Sequence, residues 1–572
     1  MADADAGNPG PEPEGGPRLH GRRALVRQSG GAGVAAMFAV LSGVAFDAVI
    51  AFTYGAGTAS DAFFVASRIP LGLQAALTVA SNQALVPLVS NWHTKEGAPE
   101  TNRRVTLLAT AAWLAGLVVA VVCAAAAWPL MAVTAPGLGA DGIDAAAGVA
   151  RIMFFVVPLE ALGDVFEAFL NARYSFVLPS GAKVLRNVTA VVVIVVAGSS
   201  GSDPRTIAWG YLAGMALLVL VEVAWSAVKG WRYKPTLALG DASVREAGVL
   251  CVRPLAGAAI NPLTRLVEQQ FVSFLPAGAI TISQYAYRVI SAVGGTVFFR
   301  SVMVAMIPRM TEATTSGRDV EVARLTRTGV RIMLAISLPL TVVTAVLARP
   351  AIEAVFRRGK FDAEDALLLG WVLVAYALSL PGSGVQRALL GPFFARLDTR
   401  TPLRNTIYGN AANLVLLPVF IWIAGREDAW AVVAVGAAYS AAQYVHVGHA
   451  WWRLHHGLGI RLKGVGAFTL EVVVGSVVYG VVLYLAAAAL GLYGELPRWQ
   501  LLARTALAGV VGSIPAVAVA YVMRKRTRRK QPERGERVHE DRGHAGADES
   551  GRVDGEHAFG GGADAGDDDH ER

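Results

Sequence analysis

The chain has 572 residues, of which 54% are apolar and only 16% are charged. Soluble domains carry roughly 25% charged residues, and a mean hydropathy of +0.47 is too high for a water-soluble protein of this length. The composition excludes a cytosolic enzyme, a disulfide-stapled secreted module and a disordered regulator, and it predicts an all-α polytopic membrane protein. The formal net charge of +8 would suggest a nucleic-acid partner in a soluble chain; in a membrane protein the positions of the charges matter more, and we expect none.

Two polar tails enclose a long series of apolar segments. Residues 1–30 are rich in Gly, Pro and charge, and residues 524–572 begin with the basic run RKRTRRK, so we expect both tails to be disordered. Between them about fourteen stretches reach the ~20 residues that a membrane-spanning helix needs. Their approximate spans are 31–54, 62–90, 105–134, 144–172, 178–199, 205–228, 248–275, 278–308, 326–356, 363–394, 402–424, 428–452, 465–491 and 499–523. No stretch alternates like a barrel strand, which leaves a helical bundle.

The basic residues between these segments predict the orientation of the chain. We number each connection after the predicted helix that it follows. Lys and Arg concentrate in the even-numbered connections, as with Arg103 and Arg104 after the second helix and Arg396 and Arg400 after the tenth. Loops rich in Lys and Arg stay on the cytoplasmic side. We therefore expect a multi-pass protein of a bacterial-type plasma (inner) membrane with both termini in the cytoplasm.

The chain also repeats itself. ALVP, ending at Pro87, has a counterpart AMIP, ending at Pro308, and Pro129 matches Pro350 at the same separation. An even number of helices in each copy makes the two repeats parallel. We therefore expect two lobes of six helices, plus two extra helices at the carboxyl end. The expected bounds are 31–230 for the N-lobe, 246–455 for the C-lobe and 465–523 for the extra helices.

Three segments resemble the MurJ/MviN family of lipid II flippases, which belongs with the MATE exporters to the MOP superfamily. GAGTASDAFFVASRIP (55–70) followed by QALVPLVS (83–90) is similar to the family's signature, and VFRRGKFDAEDA (355–366) resembles its loop after the ninth helix. SQYAYRVI (283–290) with MIPRM (306–310) is the third match. The resemblance extends from about residue 31 to 523. It implies that the protein moves an undecaprenyl-pyrophosphate-linked, lipid II-like peptidoglycan precursor from the inner to the outer leaflet by alternating access.

This resemblance also implies partners. They are the lipid-linked precursor, membrane lipid and cell-wall synthesis proteins, and the protein is then a transporter and not an enzyme. The sequence contains no phosphate-binding loop of the Walker type, no nucleophile elbow and no zinc spacing. We therefore expect no cofactor and no metal, and the energy for transport must come from a gradient, the membrane potential or consumption of the product.

The sequence departs from the family pattern in its first two predicted helices. Val40 and Phe46 stand where the family has cavity-facing arginines, and Gln74 and Ala75 replace a second pair. These replacements leave two alternatives open. One is a flippase or exporter for another lipid-linked glycan or an amphipathic metabolite, and the other is a non-transporting membrane scaffold for envelope synthesis.

Charged residues inside the apolar segments are the candidates for the substrate site, because an ionisable side chain in the membrane is costly and usually faces the bundle interior. One guanidinium group can donate two parallel hydrogen bonds to two phosphate oxygens, so buried arginines suit a lipid pyrophosphate. The alternative is that they only neutralise nearby carboxylates, and Arg265 with Glu268 is the expected pair of that kind. The predicted cavity residues are Arg288, Arg265, Arg68, Asp61, Asp47 and Glu268.

The fourth predicted helix carries a row of carboxylates. Glu160, Asp164 and Glu167 have the i, i+4, i+7 spacing that places them on one helix face. Three anions this close repel one another. Either arginines of the second and seventh predicted helices, Arg68 or Arg265, lie between them, or the row binds a coupling cation or a proton. His446 and His449 are too few for a metal site and read as a polar pair at the membrane interface.

Overall fold

The computed structural model of the chain describes residues 19–197, 203–233, 238, 240–292, 294, 299–494 and 496–511. Within these residues the fold is entirely helical. The first helix begins at Leu19, so residues 19–30 are helical and not disordered, in keeping with the helix-forming Leu, Arg and Ala residues of this segment. The predicted tail 524–572 lies outside the described residues.

Eight helices build the first half. They are α1 (Leu19–Tyr54), α2 (Thr58–Ala80), α3 (Val86–Ala125), α4 (Ala127–Thr134), α5 (Gly139–Met153), α6 (Val156–Ala172), α7 (Val177–Ala197) and α8 (Arg205–Val228). A π-helical turn, Ser81–Leu85, joins α2 to α3. Gly97 interrupts α3 with a φ of 79°, a conformation that glycine adopts without steric penalty.

Nine helices follow in the second half. They are α9 (Ala242–Val272), α10 (Ala279–Ile290), α11 (Arg300–Thr315), α12 (Asp319–Val355), α13 (Ala363–Ala377), α14 (Ser379–Ala395), α15 (Arg400–Ala424), α16 (Val432–Leu458) and α17 (Val465–Ala489). Residues 498–511 are also helical. This segment and α17 pack on α12 through an apolar cluster that includes Leu347, Ala487 and Leu501, so the end of the described chain is attached to the second half.

Nine helical stretches of the described residues are long and apolar enough to span a membrane. The stretch Thr58–Ala125 has 68 residues. A straight helix of that length would measure roughly 100 Å, against about 30 Å for the hydrocarbon core of a bilayer. The break at Gly97 therefore separates the predicted spans 62–90 and 105–134, and the π turn lies within the first of them. The count of fourteen stays a prediction, and the last predicted span, 499–523, lies partly outside the described residues.

The helices pack in two groups that meet along α2. In the first half α3 packs on α6 and α7 packs on α1 and α8, while in the second half α14 and α15 pack on α16, and α12 packs on α14. Between the halves, α2 packs against α9 and α10. The lobe bounds at residues 230 and 246 and the internal repeat stay predictions, but α2 clearly forms a wall shared by both halves.

The connections that follow odd-numbered predicted helices contact one another across the two halves. The Lys360 N–H donates to the Phe52 carbonyl oxygen at 3.0 Å, and the Gly137 N–H donates to Ser273 Oγ at 3.0 Å. The approach at the first connection is so close that a Cβ on Gly55 would lie 2.8 Å from the Lys360 oxygen, and Gly55 has a φ of +71°. Glycine is therefore required there, and the halves are joined at this end of the bundle.

Connections with even predicted numbers meet one another at the other end. Asn102 donates to the Gly230 carbonyl oxygen at 2.9 Å, and Arg396 pairs with Asp319 at 2.5 Å. Asp241 begins α9, where the hydroxyl and N–H groups of Ser243, together with Arg103, lower the pKa of Asp241 to about 2. Odd-numbered and even-numbered connections thus gather at different places, as chain segments that cross a membrane alternately require.

Candidate functional site

A cavity of about 560 Å³ lies between the two halves, lined by α2, α9, α10, α14, α15 and α16. Within the described part of the chain, its charged lining consists of four arginines and one carboxylate, Glu268. The arginines are Arg68, Arg265, Arg288 and Arg387. Because positive charge is in excess, the cavity suits an anionic group. Four of the six predicted cavity residues, Arg68, Arg265, Glu268 and Arg288, are brought together here.

Arg265 and Glu268 form the expected ion pair on α9. One guanidinium nitrogen of Arg265 lies 2.8 Å from each carboxylate oxygen of Glu268, and Asn413 Nδ2 donates to the same carboxylate at 3.3 Å. The guanidinium carbon also lies 3.6 Å from the ring centroid of Tyr287 and 4.8 Å from that of Tyr439. Two aromatic faces stabilise a cation by cation–π attraction. Arg265 is thereby held in one place on the cavity wall.

Arg68 reaches from α2 to the second half. Its Nε donates to Gln269 Oε1 at 2.8 Å and one terminal nitrogen donates to Gln284 Oε1 at 3.0 Å. Both partners are neutral amides, so this guanidinium keeps its full positive charge in the cavity. The interaction joins α2 to α9 and α10.

Asp47, one of the predicted cavity residues, does not line the cavity. It lies on α1 with 2% of its surface exposed and forms an ion pair with Arg288 of α10. Arg288 does line the cavity. Asp47 therefore acts on the cavity only through the arginine that it holds.

Asp61 also lies outside the cavity lining, and its role is different from the one expected. Its carboxylate accepts hydrogen bonds from the Gly278 N–H at 2.7 Å, the Thr281 N–H at 2.8 Å and the Thr281 hydroxyl at 2.6 Å. These N–H groups begin α10, and the first N–H groups of a helix have no partner within the helix. Asp61 of α2 thus caps a helix of the other half, which no sequence pattern near Asp61 could reveal.

The polar wall opposite α2 contains groups that the sequence analysis missed or misread. His446 lines the cavity, is 5% exposed and has Nδ1 3.1 Å from both Gln386 Nε2 and Asn405 Oδ1. The imidazole fills the space beside Gly409, where any Cβ would collide with it. Arg387 of α14 is a further cavity arginine. It was detectable as a cation inside the predicted span 363–394.

The carboxylate row of α6 lies in a separate place, a small cavity of about 20 Å³ within the first half. The predicted interleaving by Arg68 or Arg265 is wrong, because both arginines line the central cavity. The nearby cations are Lys183 and Arg186 of α7, and a fourth carboxylate, Glu222 of α8, lines the same small cavity. Glu222 could have been found as an acidic residue in the apolar span 205–228.

Comparisons with known proteins identify the family. The family model described as "Lipid II flippase MurJ" matches residues 50–499. The chain belongs to the MurJ family. It is 27% identical over 434 residues to the lipid II flippase MurJ of Burkholderia cenocepacia, which covers 73% of this chain and 82% of that protein.

Solved structures show the same fold. A lipid II flippase MurJ in an inward closed conformation superposes with a TM-score of 0.69 at 19% identity, over 85% of this chain and 98% of that one. An inward-facing MATE transporter of the MOP superfamily superposes with a TM-score of 0.60 at 13% identity, over 74% of this chain and 96% of that one. The chain is thus a multi-pass, all-helical membrane protein of the MurJ family with the fold of MOP transporters.

Two of the four departures from the MurJ-family pattern, Phe46 and Gln74, have a structural explanation in the first half, whereas Ala75 lines the central cavity. Phe46 is 3% exposed and packs against Phe63 and Tyr211, with ring centroids 6.4 and 6.1 Å away. Gln74 donates to Glu160 at 2.8 Å and does not line the cavity. These two positions therefore belong to the interior of the first half. The cavity receives most of its arginines from α9, α10 and α14 instead.

Proposed function

We propose that the protein moves a lipid II-like, undecaprenyl-pyrophosphate-linked peptidoglycan precursor from the inner to the outer leaflet by alternating access. The observation that carries this proposal is the arginine-rich cavity between the two halves, in a chain that belongs to the MurJ family. In this function the chain is a transporter and not an enzyme. The relatives of this chain are lipid II flippases, and the arginine-rich cavity gives a chemical reason for a pyrophosphate-linked substrate.

The cavity chemistry fits a pyrophosphate. A guanidinium group has five N–H donors, so Arg265 and Arg288 can hold their carboxylates and still bind phosphate oxygens. Hydrogen bonds to charged groups contribute about 1.5–3 kcal/mol each, and they are stronger where water is excluded. The polar amides and His446 on the opposite wall suit the sugar and peptide parts of a headgroup, which offer hydroxyl and amide groups.

The contacts between the odd-numbered connections bear on the direction of access. Loop charge assigns these connections to the outer face and both termini to the cytoplasm of a bacterial inner membrane. The two halves are joined at that outer end by Asp61 with α10 and by Lys360 with Phe52. We therefore assign this structure to a state closed toward the outside, which receives the headgroup from the cytoplasmic side. Release would require these contacts to open.

A different lipid-linked glycan or amphipathic metabolite is the second candidate, and Val40 and Phe46 favour it because they remove cations that the family carries. A membrane scaffold without transport is disfavoured, because it would not need buried arginines around a cavity. Interaction with cell-wall synthesis proteins fits either transport function and remains part of the proposal.

The test is rescue and transport. Expression of this chain in a bacterium depleted of its own lipid II flippase should restore growth, and purified protein in vesicles should translocate lipid II. Arg288→Ala should lower the transport rate roughly 10- to 150-fold, which corresponds to one lost charged hydrogen bond. Arg426→Ala, at an exposed loop position, is the matched control and should behave like the wild type.

Arg288→Ala also leaves Asp47 buried without its partner. The double variant Arg288→Ala with Asp47→Asn removes this complication, and it should fold normally while still failing to transport. Normal transport by the double variant would contradict the role of Arg288. Transport of another lipid-linked glycan, with no transport of lipid II, would select the second candidate.

A further inference from the structure

A group of charged side chains in the first half, three of them buried carboxylates, has no part in the cavity just described. We call it the acidic cluster. It surrounds the small cavity of about 20 Å³ between α6, α7 and α8, a volume sufficient for about one water molecule. Its members are Glu160, Asp164, Glu167, Glu222, Lys183 and Arg186.

The four carboxylates of the acidic cluster differ in their partners. Glu160 accepts hydrogen bonds from Gln74 Nε2 at 2.8 Å and Thr78 Oγ1 at 2.9 Å, and Glu167 lies 3.4 Å from Lys183 Nζ. Glu222 is 1% exposed, and neither of its carboxylate oxygens has a hydrogen-bond partner. Asp164, 5% exposed, has no partner for Oδ2. Two buried carboxyl groups are thus left for a ligand.

The other charged and titratable groups around Asp164 and Glu222 do not provide that ligand. From α7, Lys183 faces Glu167 and Arg186 stacks on the Tyr211 ring of α8, 5.1 Å from its centroid. From α9, the thiol of Cys251 interacts electrostatically with the Asp164 carboxylate. Leu85 of the π turn and Val89 of α3 are apolar, and the Ser81 hydroxyl of the π turn donates to the backbone carbonyl oxygen of Asp164 and not to its carboxylate. The carboxylates outnumber the cations, and the excess negative charge is buried.

A proton fits this site better than a metal ion. Among the described residues there is no group of three or more His, Cys, Asp or Glu side chains placed to hold a metal. The Lys183 ammonium would also repel a second cation. A proton needs only one carboxyl oxygen, and it removes the cost of burying an unpartnered carboxylate.

We propose that the acidic cluster is a proton-binding site, with Glu222 as the main acceptor and Asp164 as the second, and that α2 couples it to the central cavity. Gln74 and Thr78 bind Glu160 from one face of α2, whereas Arg68 and Ala75 line the cavity from another face of the same helix. The Tyr211 hydroxyl donates to Gln74 Oε1 at 3.2 Å, which adds α8 to this connection.

In the transport cycle, a proton taken from water on one side of the membrane binds Glu222 and returns to water on the other side. Its arrival changes the charge beside Glu160 and so the position of α2. This coupling rests on the proposed transport function, but proton binding itself does not.

Proton binding can therefore be measured without transport. Infrared difference spectra of the purified full chain between high and low pH should show the carbonyl stretch of a protonated carboxyl group, and Glu222→Gln should reduce that band. Glu353→Gln is the control, because Arg349 holds Glu353 as an ion pair at 2.9 Å, and it should leave the band unchanged. An unchanged band in Glu222→Gln would overturn the proposal. Asp164→Asn provides a second variant if Glu222→Gln does not fold.

Coupling is measured in vesicles with an imposed proton gradient. For one coupled proton, the ratio of precursor between the leaflets should shift by up to about tenfold per pH unit. Glu222→Gln should lose this shift while Glu353→Gln keeps it. If the wild type translocates precursor with no response to the proton gradient, the coupling is wrong and the transport function stands. If a sodium gradient replaces the proton gradient and Glu222→Gln abolishes its effect, the site binds sodium and the proposal is overturned.

Discussion

The central cavity and the acidic cluster are two charged regions on either side of α2. They differ in whether their charged side chains have partners. In the cavity the charged side chains have partners: Arg265 holds Glu268, Arg288 holds Asp47 and Arg68 bonds two glutamines. In the acidic cluster Glu222 and Asp164 keep unpartnered oxygens. The cavity can therefore present fixed cations to a large anion, whereas the unpartnered oxygens of the cluster suit a small positive ligand.

The largest effect is expected from a change that makes the cavity resemble the cluster. Arg265→Gln leaves Glu268 buried, as Glu222 is, without an ion-pair partner. Removing one member of a buried pair costs about 3–5 kcal/mol, so we expect a large loss of stability in thermal unfolding and no transport. The double variant Arg265→Gln with Glu268→Gln should recover most of the stability and still not transport. Recovery of transport by the double variant would show that the pair is structural only.

A smaller effect should distinguish the walls of the two regions. Gly409→Ala places a Cβ against the His446 ring, whereas Gly163→Ala places one 3.2 Å from Glu222 Oε2. Overpacking typically costs about 1–3 kcal/mol. The rigid His446 ring should move aside less easily than the flexible carboxylate group of Glu222. We expect Gly409→Ala to lower the unfolding temperature more than Gly163→Ala. Gly448→Ala, with open space around its Cβ position, is the control, and equal losses at Gly409 and Gly163 would contradict this reasoning.

The smallest of the three effects concerns a buried carboxylate that is fully partnered. Asp61→Ala removes the cap on the first N–H groups of α10, and loss of such a cap costs about 0.5–2 kcal/mol. Because the cap joins the two halves, the variant should also expose the end of α10 to faster amide hydrogen exchange. Asp61→Asn keeps an acceptor and should lose less. Equal exchange in both variants and the wild type would show that Asp61 does not hold the halves together.

Much of this arrangement was predictable from local pattern. The apolar segments specify helices. The rule that charges inside them face the interior selected Arg68, Arg265 and Arg288, which line the cavity, and also Asp47 and Asp61, which do not. A role of these residues in substrate binding stays a prediction. The same rule, applied to every span, would have included Arg387 and Glu222. The spacing of Glu160, Asp164 and Glu167 correctly indicated one helix face.

Contacts between distant segments were not predictable in this way. Asp61 caps a helix that lies more than two hundred positions further along the chain, and nothing beside Asp61 specifies its partner. The prediction that Arg68 or Arg265 inserts into the acidic row was wrong for the same reason. Tertiary packing decides which face of α2 or α9 points toward the row. The start of α1 was predicted too late in the chain. The Gly, Pro and charged residues of 1–18 led to the prediction of one disordered tail that also included the helix-forming segment 19–30.

The position of α2 between the two regions has a thermodynamic consequence. If protonation of the acidic cluster changes the affinity of the cavity for the precursor by some factor, the precursor must change the proton affinity of the cluster by the same factor. The cytoplasmic supply of precursor would then set the pH range over which the protein takes up its proton. In a cell that slows its synthesis of wall material, the protein without bound precursor would titrate over the pH range of its unliganded state, displaced from that of the loaded protein by the same factor.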